Sequence, residues 1–132
     1  MRLKSDFYFV SNDPYSLDFK RIFLDFTNNS LVVDDKAKLS FGREYASLAS
    51  MQSNFIFISG GNCYASSVER YNSSLDIWED LPDLNQARRY HSSCIIGNTM
   101  YVVGGKSQGQ AINSTEKLND IDAQDSQASS QW

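Results

Sequence analysis

The histidine and the two cysteines are the side chains best suited to metal chemistry in this chain of 132 residues. His91, Cys94 and Cys63 could together supply three ligands, but their spacing matches none of the usual zinc patterns. The two cysteines could form one disulfide, or they could be free thiols in a reducing compartment. We favour free thiols, a cytoplasmic location, no metal, and a hydrogen-bonded core position for His91.

A second group of residues, Gly105-Lys106-Ser107, has the ending of a phosphate-binding loop. That motif also needs a glycine five positions before its last glycine, where this chain has Met100, and it needs a helix to follow. No helix signal follows. We therefore predict a structural role for both glycine pairs, Gly60-Gly61 and Gly104-Gly105, in which glycine permits unusual backbone angles and close approach at a strand end.

Carboxyl groups could act as general acids or bases where two of them converge. The pairs Asp34-Asp35 and Glu79-Asp80 are adjacent in sequence, and adjacent residues on a strand point to opposite faces of the sheet. No Ser–His–Asp order is visible either. The sequence therefore predicts no catalytic residue and no cofactor, and these charges are most simply solvated turn residues.

The elements that position these residues are strands in a repeating order. Residues 88–105 read RRYHSSCIIGNTMYVVGG, in which an arginine precedes two apolar runs, a Gly97-Asn98 turn separates the runs, and a glycine pair closes the segment. Such runs around a turn dipeptide predict an antiparallel hairpin. The same order begins at Arg43, which lies 45 positions before Arg88, and it closes at Gly60-Gly61.

Further strands follow each glycine pair. In the repeat that begins at Arg43, strands are predicted at 46–51, 55–59, 67–71 and 75–79. After the second glycine pair we predict a polar loop over 106–113 and a strand over 114–119. Earlier in the chain, strands are predicted at 7–10, 22–26 and 31–33, which would place Phe26 in the slot of Tyr71 and Val33 in the slot of Trp78.

This ordered set of slots resembles the kelch motif, a four-stranded blade of a β-propeller. The matching residues are Arg88, His91, Tyr101-Val102-Val103-Gly104-Gly105, Glu69-Arg70-Tyr71 and Trp78. The resemblance implies an all-β fold, a partial kelch-type propeller of about two to three four-stranded antiparallel blades whose ring is not closed. It divides the chain into an incomplete first blade with N-terminal strands (1–42), a complete blade (43–87), and an incomplete second kelch blade with a polar C-terminal tail (88–132).

The resemblance also implies which residues serve the scaffold. Tyr71 and Trp78 are expected to bury their rings between neighbouring blades, and the opening arginines to bond to backbone and carboxylates. Trp132 is either the delayed fourth-strand tryptophan of the last blade or the accidental end of a truncated chain. The structural motif residues are Arg43, Gly60, Gly61, Tyr71, Trp78, Arg88, His91, Gly104 and Gly105.

Composition narrows the class of partner. The hydrophobic fraction of 41% predicts a packed core, and no apolar run approaches the ~18 residues of a transmembrane helix. The net charge of −4 argues against nucleic acid and against a membrane surface as partners, because both require clustered Lys and Arg. Since the blades cannot close a ring, self-association through open blade edges is expected of what we take to be a fragment of a longer protein.

The function implied by the resemblance is protein binding through loops at one face, by a kelch-repeat scaffold or adaptor without catalytic activity. Those loops are 62–67, 84–90 and 106–112, and the candidate contact residues are Tyr64, Arg89, Tyr90, Lys106 and Gln108. The alternative is a fragment of a propeller enzyme, a sugar isomerase or oxidase, whose active-site residues lie outside this chain. Copper-radical oxidases need two histidines, and this chain has one.

Overall fold

The computed structural model describes residues 6–51, 54–62, 65–122 and 132, and their regular secondary structure is entirely β. The first sheet contains β1 (Phe7–Val10), β2 (Phe19–Asp25) and β3 (Ser30–Asp35). The middle sheet contains β4 (Ser47–Met51), β5 (Phe55–Ser59), β6 (Val68–Asn72) and β7 (Ile77–Leu81). The third sheet contains β8 (Ser92–Ile96), β9 (Thr99–Val103) and β12 (Thr115–Asn119). Every pairing is antiparallel, which confirms the predicted all-β class with no closed ring.

The pleat explains why these runs form half-buried strands. In β9, Met100 and Val102 are fully buried, while their neighbours point to the opposite face. Gly97 has a φ of +61° in the two-residue turn before β9, a conformation that glycine adopts without steric cost. The predicted hairpin over 88–105 is therefore present.

Two strand predictions require correction. The fourth strand of the middle sheet is Ile77–Leu81 and not 75–79, because Asp76 adopts a φ of +54° and ends the preceding turn. The segment 106–113, expected to be a loop, contains a short hairpin of β10 (Lys106–Ser107) and β11 (Gln110–Ala111). Gly109 at its tip has a φ of +81°, which the tight turn requires.

The first sheet pairs in a different register from the one expected. Val33 lies opposite Ile22, whereas Tyr71 lies opposite Trp78, and Phe26 falls beyond the end of β2 and is exposed. The proposed slots for Phe26 and Val33 are therefore wrong. The physical reason is Phe19, whose buried ring lies 4.7 Å from that of Tyr71 and 4.8 Å from that of Trp78 and so anchors β2 several residues earlier.

The sheets pack face to face through two apolar cores. Each fully buried large side chain contributes about 1.5–3 kcal/mol, so the cores hold the sheets as neighbours. Between the first and middle sheets, the buried residues are Phe19, Ile56 and Tyr71. Between the middle and third sheets, they are Phe57, Val68, Leu84, Met100, Val102, Leu118 and Ile121.

A tryptophan contact recurs at both junctions. The indole Nε1 of Trp78 donates to the carbonyl oxygen of Ala37 at 2.9 Å, just after β3. The indole Nε1 of Trp132 donates to the carbonyl oxygen of Pro82 at 2.6 Å, just after β7. Of the two alternatives for Trp132, the structure therefore supports the delayed tryptophan. The preceding polar tail over 123–131 lies outside the described residues. No described helix is long and apolar enough to cross a bilayer.

Candidate functional site

The opening arginine of the middle sheet is a buried cross-link. Arg43 Nη1 donates to the carbonyl oxygens of Gly60 at 2.8 Å and Ser67 at 3.0 Å, and its Nη2 donates to Glu69 Oε2 at 2.9 Å. The side chains of Arg43 and Glu69 are both inaccessible to solvent. Because the Arg43 guanidinium and the Glu69 carboxylate pair with each other and neither is exposed, this group holds strands together and offers nothing to a ligand.

The same cross-link recurs in the third sheet. Arg88 Nη1 donates to the carbonyl oxygens of Gly104 and Ser114, each at 3.0 Å, and Nη2 donates to Glu116 Oε1 at 2.6 Å. Sequence reasoning identified both arginines but not Glu69 and Glu116 as their partners. The detectable signal was that each glutamate follows its arginine by a similar interval, 26 and 28 residues.

His91 fills the space between the two glycine pairs. Its Nε2 lies 2.9 Å from Ser59 Oγ, and its Nδ1 makes no hydrogen bond within the described chain. A Cβ on Gly105 would lie 2.9 Å from His91 Cβ, so the histidine requires glycine at that position. Burial, and then the charge of Arg88, lowers the pKa of His91 to about 4. His91 is therefore a neutral packing residue at pH 7.

A cleft of about 830 Å³ opens between the middle and third sheets. Its walls are residues 61–62, 65, 85–89, 106–110 and 112. Apart from Gly61, these residues come from the three loops that the sequence singled out. The cleft brings together Arg89, Lys106 and Gln108 among the candidate contact residues, while Tyr90 lies beside it and Tyr64 lies outside the described residues.

Hydrogen bonds fix the position of Arg89 in the cleft wall. Its backbone N–H donates to the carbonyl oxygen of Lys106 at 3.0 Å, and the Lys106 N–H donates back at 2.8 Å. The Arg89 guanidinium donates to Asn62 Oδ1, and Asn62 Nδ2 donates to Glu44 Oε2 at 2.7 Å. The guanidinium carbon also lies 5.5 Å from the ring centroid of Tyr90, within cation–π range. Arg89 is therefore pre-oriented rather than free to rotate.

Two tyrosine rings contact each other beside the cleft. Tyr45 and Tyr90 each lie two positions after an opening arginine, and their ring centroids are 4.3 Å apart. Their φ angles are +57° and +55°, which is uncommon for bulky residues and raises the local backbone energy. Sequence reasoning named Tyr90 but missed Tyr45. The signal that could have identified Tyr45 was its position, since it occupies the same place in its repeat as Tyr90 does in the next.

The cleft is positively charged in an acidic protein. None of the described residues in its walls is Asp or Glu, whereas Arg89 and Lys106 both contribute cations. The third cation, Arg88, is buried and neutralised by Glu116. The rest of the polar surface consists of amide side chains, including Asn85, Gln86 and Gln108. A net charge of −4 for the whole chain makes this local excess of positive charge a distinct feature.

The described residues also offer no metal centre. Within them, no group of three or more His, Cys, Asp and Glu side chains could hold a metal ion. Cys94 is exposed, and Cys63 lies outside the described residues.

Comparison with known proteins shows which family the chain resembles. A sequence profile described as the Kelch motif matches residues 87–123. Kelch-like protein 21 of Danio rerio is 40% identical over 57 residues, which is 41% of this chain and 9% of that protein. Kelch-like protein 6 of Homo sapiens is 38% identical over 63 residues, which is 48% of this chain and 10% of that protein. This chain carries a kelch motif and resembles kelch-repeat proteins.

The kelch match covers the third sheet, including Arg88, His91 and Gly104-Gly105. A solved structure described as "Structure of YjhT" superposes with a TM-score of 0.65 at 16% identity, covering 87% of this chain and 38% of that one. At this identity the likeness concerns the fold. The chain spans about a tenth of the length of the curated relatives it matches.

Proposed function

We propose that this kelch-repeat chain is a non-catalytic protein-interaction module that binds an acidic segment of a partner protein in the cleft beside Arg89. The observation that carries the proposal is the pair of cations, Arg89 and Lys106, in walls whose described residues include no acid. The match to the Kelch motif supports the general role, since propeller loops at one face are typical binding surfaces.

The chemistry of the cleft favours carboxylates over other ligands. A guanidinium presents paired donors that match a carboxylate, and Lys106 adds a mobile point charge on the neighbouring loop. The amide side chains of Gln108 and Gln110 can accept and donate hydrogen bonds along a peptide backbone. A volume of about 830 Å³ accommodates several residues of an extended segment.

Rigidity supports the same proposal. Arg89 is held by Asn62, by Tyr90 and by its own backbone bridge to Lys106, so little side-chain freedom is lost on binding. Tyr45 and Tyr90 add exposed aromatic surface at the rim, and tyrosine and arginine are the residue types enriched in binding hot spots.

The test is a charge reversal in the cleft. The probe is a fluorescein-labelled library of decapeptides with Glu or Asp at alternate positions, together with a matched library carrying Gln or Asn. The double variant Arg89→Glu, Lys106→Glu should lose at least about tenfold in affinity for the acidic library, because two attractive charges become repulsive. Fluorescence anisotropy at two salt concentrations measures the loss and its electrostatic origin.

The matched control is Lys38→Glu, Lys117→Glu, which makes the same change in net charge at two exposed lysines outside the cleft. It should retain the affinity of the unmodified protein. Equal losses in both double variants, or equal affinity for the acidic and amide libraries, would contradict the cleft as the binding site.

Three further assignments belong to this proposal. The repeat boundaries at 42/43 and 87/88 are proposed from the 45-residue spacing and the opening arginines. The non-catalytic role would be contradicted by turnover of sugar substrates in isomerase or oxidase assays. A cytoplasmic location is proposed from the composition and the unpaired cysteine spacing.

A further inference from the structure

Two tyrosines of successive repeats are held in ring contact at the junction between the middle and third sheets. Tyr45 precedes β4 and Tyr90 precedes β8, and their ring centroids are 4.3 Å apart with an angle of 32° between the ring planes. Carbon atoms in van der Waals contact are about 3.5–4.0 Å apart, so the two rings touch. The residues are 36% and 53% exposed, which means that a reagent in solution can reach both.

The backbone fixes this contact. The Tyr90 N–H donates to the carbonyl oxygen of Tyr45 at 3.0 Å, and the Tyr45 N–H donates to Asn12 Oδ1 at 3.0 Å. Farther along the two strands, Ser47 Oγ and Ser93 Oγ are 2.7 Å apart, which brings β4 and β8 together. The rings are therefore kept as neighbours by the strands that carry them, and their contact does not depend on a chance encounter of mobile side chains.

The hydroxyl ends of the two rings meet. Hydrogen bonding to Tyr90 is the main cause that raises the pKa of Tyr45. The Cε carbons of a tyrosine are the neighbours of the carbon that bears its hydroxyl group. Because the hydroxyl ends lie together, Cε carbons of the two rings also lie close to each other. These are the carbons through which two oxidised tyrosines join.

Other tyrosines have either exposure or a tyrosine neighbour. Tyr15 is 92% exposed, but its ring contacts no other aromatic ring of the described residues. The rings of Tyr8 and Tyr71 are neighbours, but their centroids are 6.1 Å apart and Tyr71 is buried. Close contact and access to solvent thus coincide at Tyr45 and Tyr90.

We propose that Tyr45 and Tyr90 form an oxidative cross-linking site, at which hydrogen peroxide and a haem peroxidase join the two rings into a dityrosine. Each phenol loses one electron and its hydroxyl proton, which leaves a neutral radical with spin density at Cε. The two radicals form one Cε–Cε bond, and the hydrogens on those carbons move to the oxygens to restore the aromatic rings. The two electrons and two protons that were removed reduce one molecule of hydrogen peroxide to two of water.

The cross-link locks the middle sheet to the third. It closes the chain into a loop from position 45 to position 90, so the unfolded state loses conformational freedom and the folded state gains relative stability. Neither tyrosine lines the Arg89 cleft, so cross-linking does not require that the cleft bind an acidic segment.

The experiment treats the whole chain with a haem peroxidase and limiting hydrogen peroxide. The exposed Cys94 thiol is alkylated first, because thiols reduce tyrosyl radicals. Mass spectrometry of the monomeric product should show the loss of two hydrogen atoms per chain. Trypsin should release peptides 44–70 and 90–106 as one linked species, and fragmentation should place the link between Tyr45 and Tyr90.

Two physical measurements accompany the peptide map. The yield of linked monomer should not change with protein concentration, because the reaction takes place within one chain. The midpoint of urea unfolding should be higher for the linked monomer than for the untreated chain.

Three conservative variants locate the site. Tyr45→Phe and Tyr90→Phe each keep the ring and remove the hydroxyl group, so either should lower the yield of linked monomer at least about tenfold. Tyr15→Phe is the matched control at an exposed tyrosine outside the pair and should give the yield of the unmodified protein. The peptide map of the unmodified protein tests the site even if one of the variants unfolds.

Four outcomes would contradict the cross-linking site. No linked monomer, or a link between any other two tyrosines, would exclude it directly. A yield that Tyr15→Phe lowers as much as Tyr90→Phe does would mean that exposure alone decides the reaction. A linked monomer with an unchanged urea midpoint would show that the cross-link does not lock the sheets together.

Discussion

His91 shows how a repeat residue acquires its role from its surroundings. Its ring lies against both glycine pairs, with Ser59 as its hydrogen-bond partner, and the charge of Arg88 acts on it. A protonated ring would place a second positive charge beside the buried guanidinium without a carboxylate of its own. The neutral form is therefore part of the folded state, which makes stability depend on pH.

We predict that stability falls as the pH is lowered from about 6.5 to 4. The folded pKa of His91, about 4, is below the ordinary histidine value of 6.5, so in this window the unfolded chain binds a proton that the folded chain does not. The loss attributable to His91 is roughly 3 kcal/mol across the window and does not increase below it.

Urea unfolding at a series of pH values measures this effect. Carboxyl groups titrate in the same range, so the informative quantity is the difference between the unmodified protein and His91→Asn, which retains a polar group of similar size. The difference should shrink as the pH falls from 6.5 to 4. A difference that is constant over that range would show that His91 is not the titrating group.

At the scale of elements, the glycine pairs allow neighbouring sheets to approach. Gly60 has a φ of +63°, and a Cβ there would lie 2.3 Å from the carbonyl oxygen of Arg88 and 2.6 Å from His91 Cε1. Gly97 has nearly the same φ, +61°, but no atom lies within 4 Å of its hypothetical Cβ. An alanine would therefore suffer similar backbone strain at either position, but only Gly60 lacks the space for its Cβ.

We predict that Gly60→Ala destabilises the chain far more than Gly97→Ala. The strain of a left-handed alanine is about 1–2 kcal/mol at either site. At Gly60 the collision with the Arg88 backbone must add at least about 2 kcal/mol, because backbone atoms cannot rotate away. The free energies of unfolding of the two variants measure the difference. Equal losses would mean that close approach of the sheets is not what selects glycine at this position.

At the scale of the whole molecule, the first sheet has one face in the core and one in solvent. The solvent face carries Phe7, Leu31 and Val33, with exposed fractions of 68%, 73% and 56%. Strand register places Phe7, Ile22 and Val33 in one row across the sheet. In the two junctions within the chain, a face of this kind is covered by a neighbouring sheet. Uncovered apolar faces of this type promote association.

We predict that the isolated chain self-associates through this face, with an average mass that rises with protein concentration. Leu31→Lys, Val33→Lys should keep the chain monomeric, because charge on the exposed face opposes apolar contact without disturbing the core. Static light scattering measures the mass. Leu75→Lys, at an exposed position in a turn, is the control and should associate normally. A monomeric unmodified chain at every concentration would contradict the prediction.

Much of this architecture was determined by the sequence alone, because its signals are local. These signals depend on neighbouring residues: the turn at Gly97-Asn98, the alternation in β9 and the order from arginine to the glycine pair. The order from arginine to the glycine pair also occurs in two repeats, which makes it easier to detect. The register of the first sheet could not be predicted from such local signals. It depended on Phe19 packing against Tyr71 and Trp78, residues distant in the chain, and a shift by the repeat length predicted it wrongly.

The tertiary structure decided what the polar residues do. The sequence identified Arg43 and Arg88 as scaffold residues and Arg89 as a contact candidate, but it did not identify the glutamates against which Arg43 and Arg88 are buried or the cleft that Arg89 borders. Repeat position distinguishes the opening arginines from Arg89, but burial and pairing with glutamates arise only when separate strands meet. The strand-forming pattern is thus encoded along the chain, whereas charge exposure and the cleft follow from which sheets become neighbours.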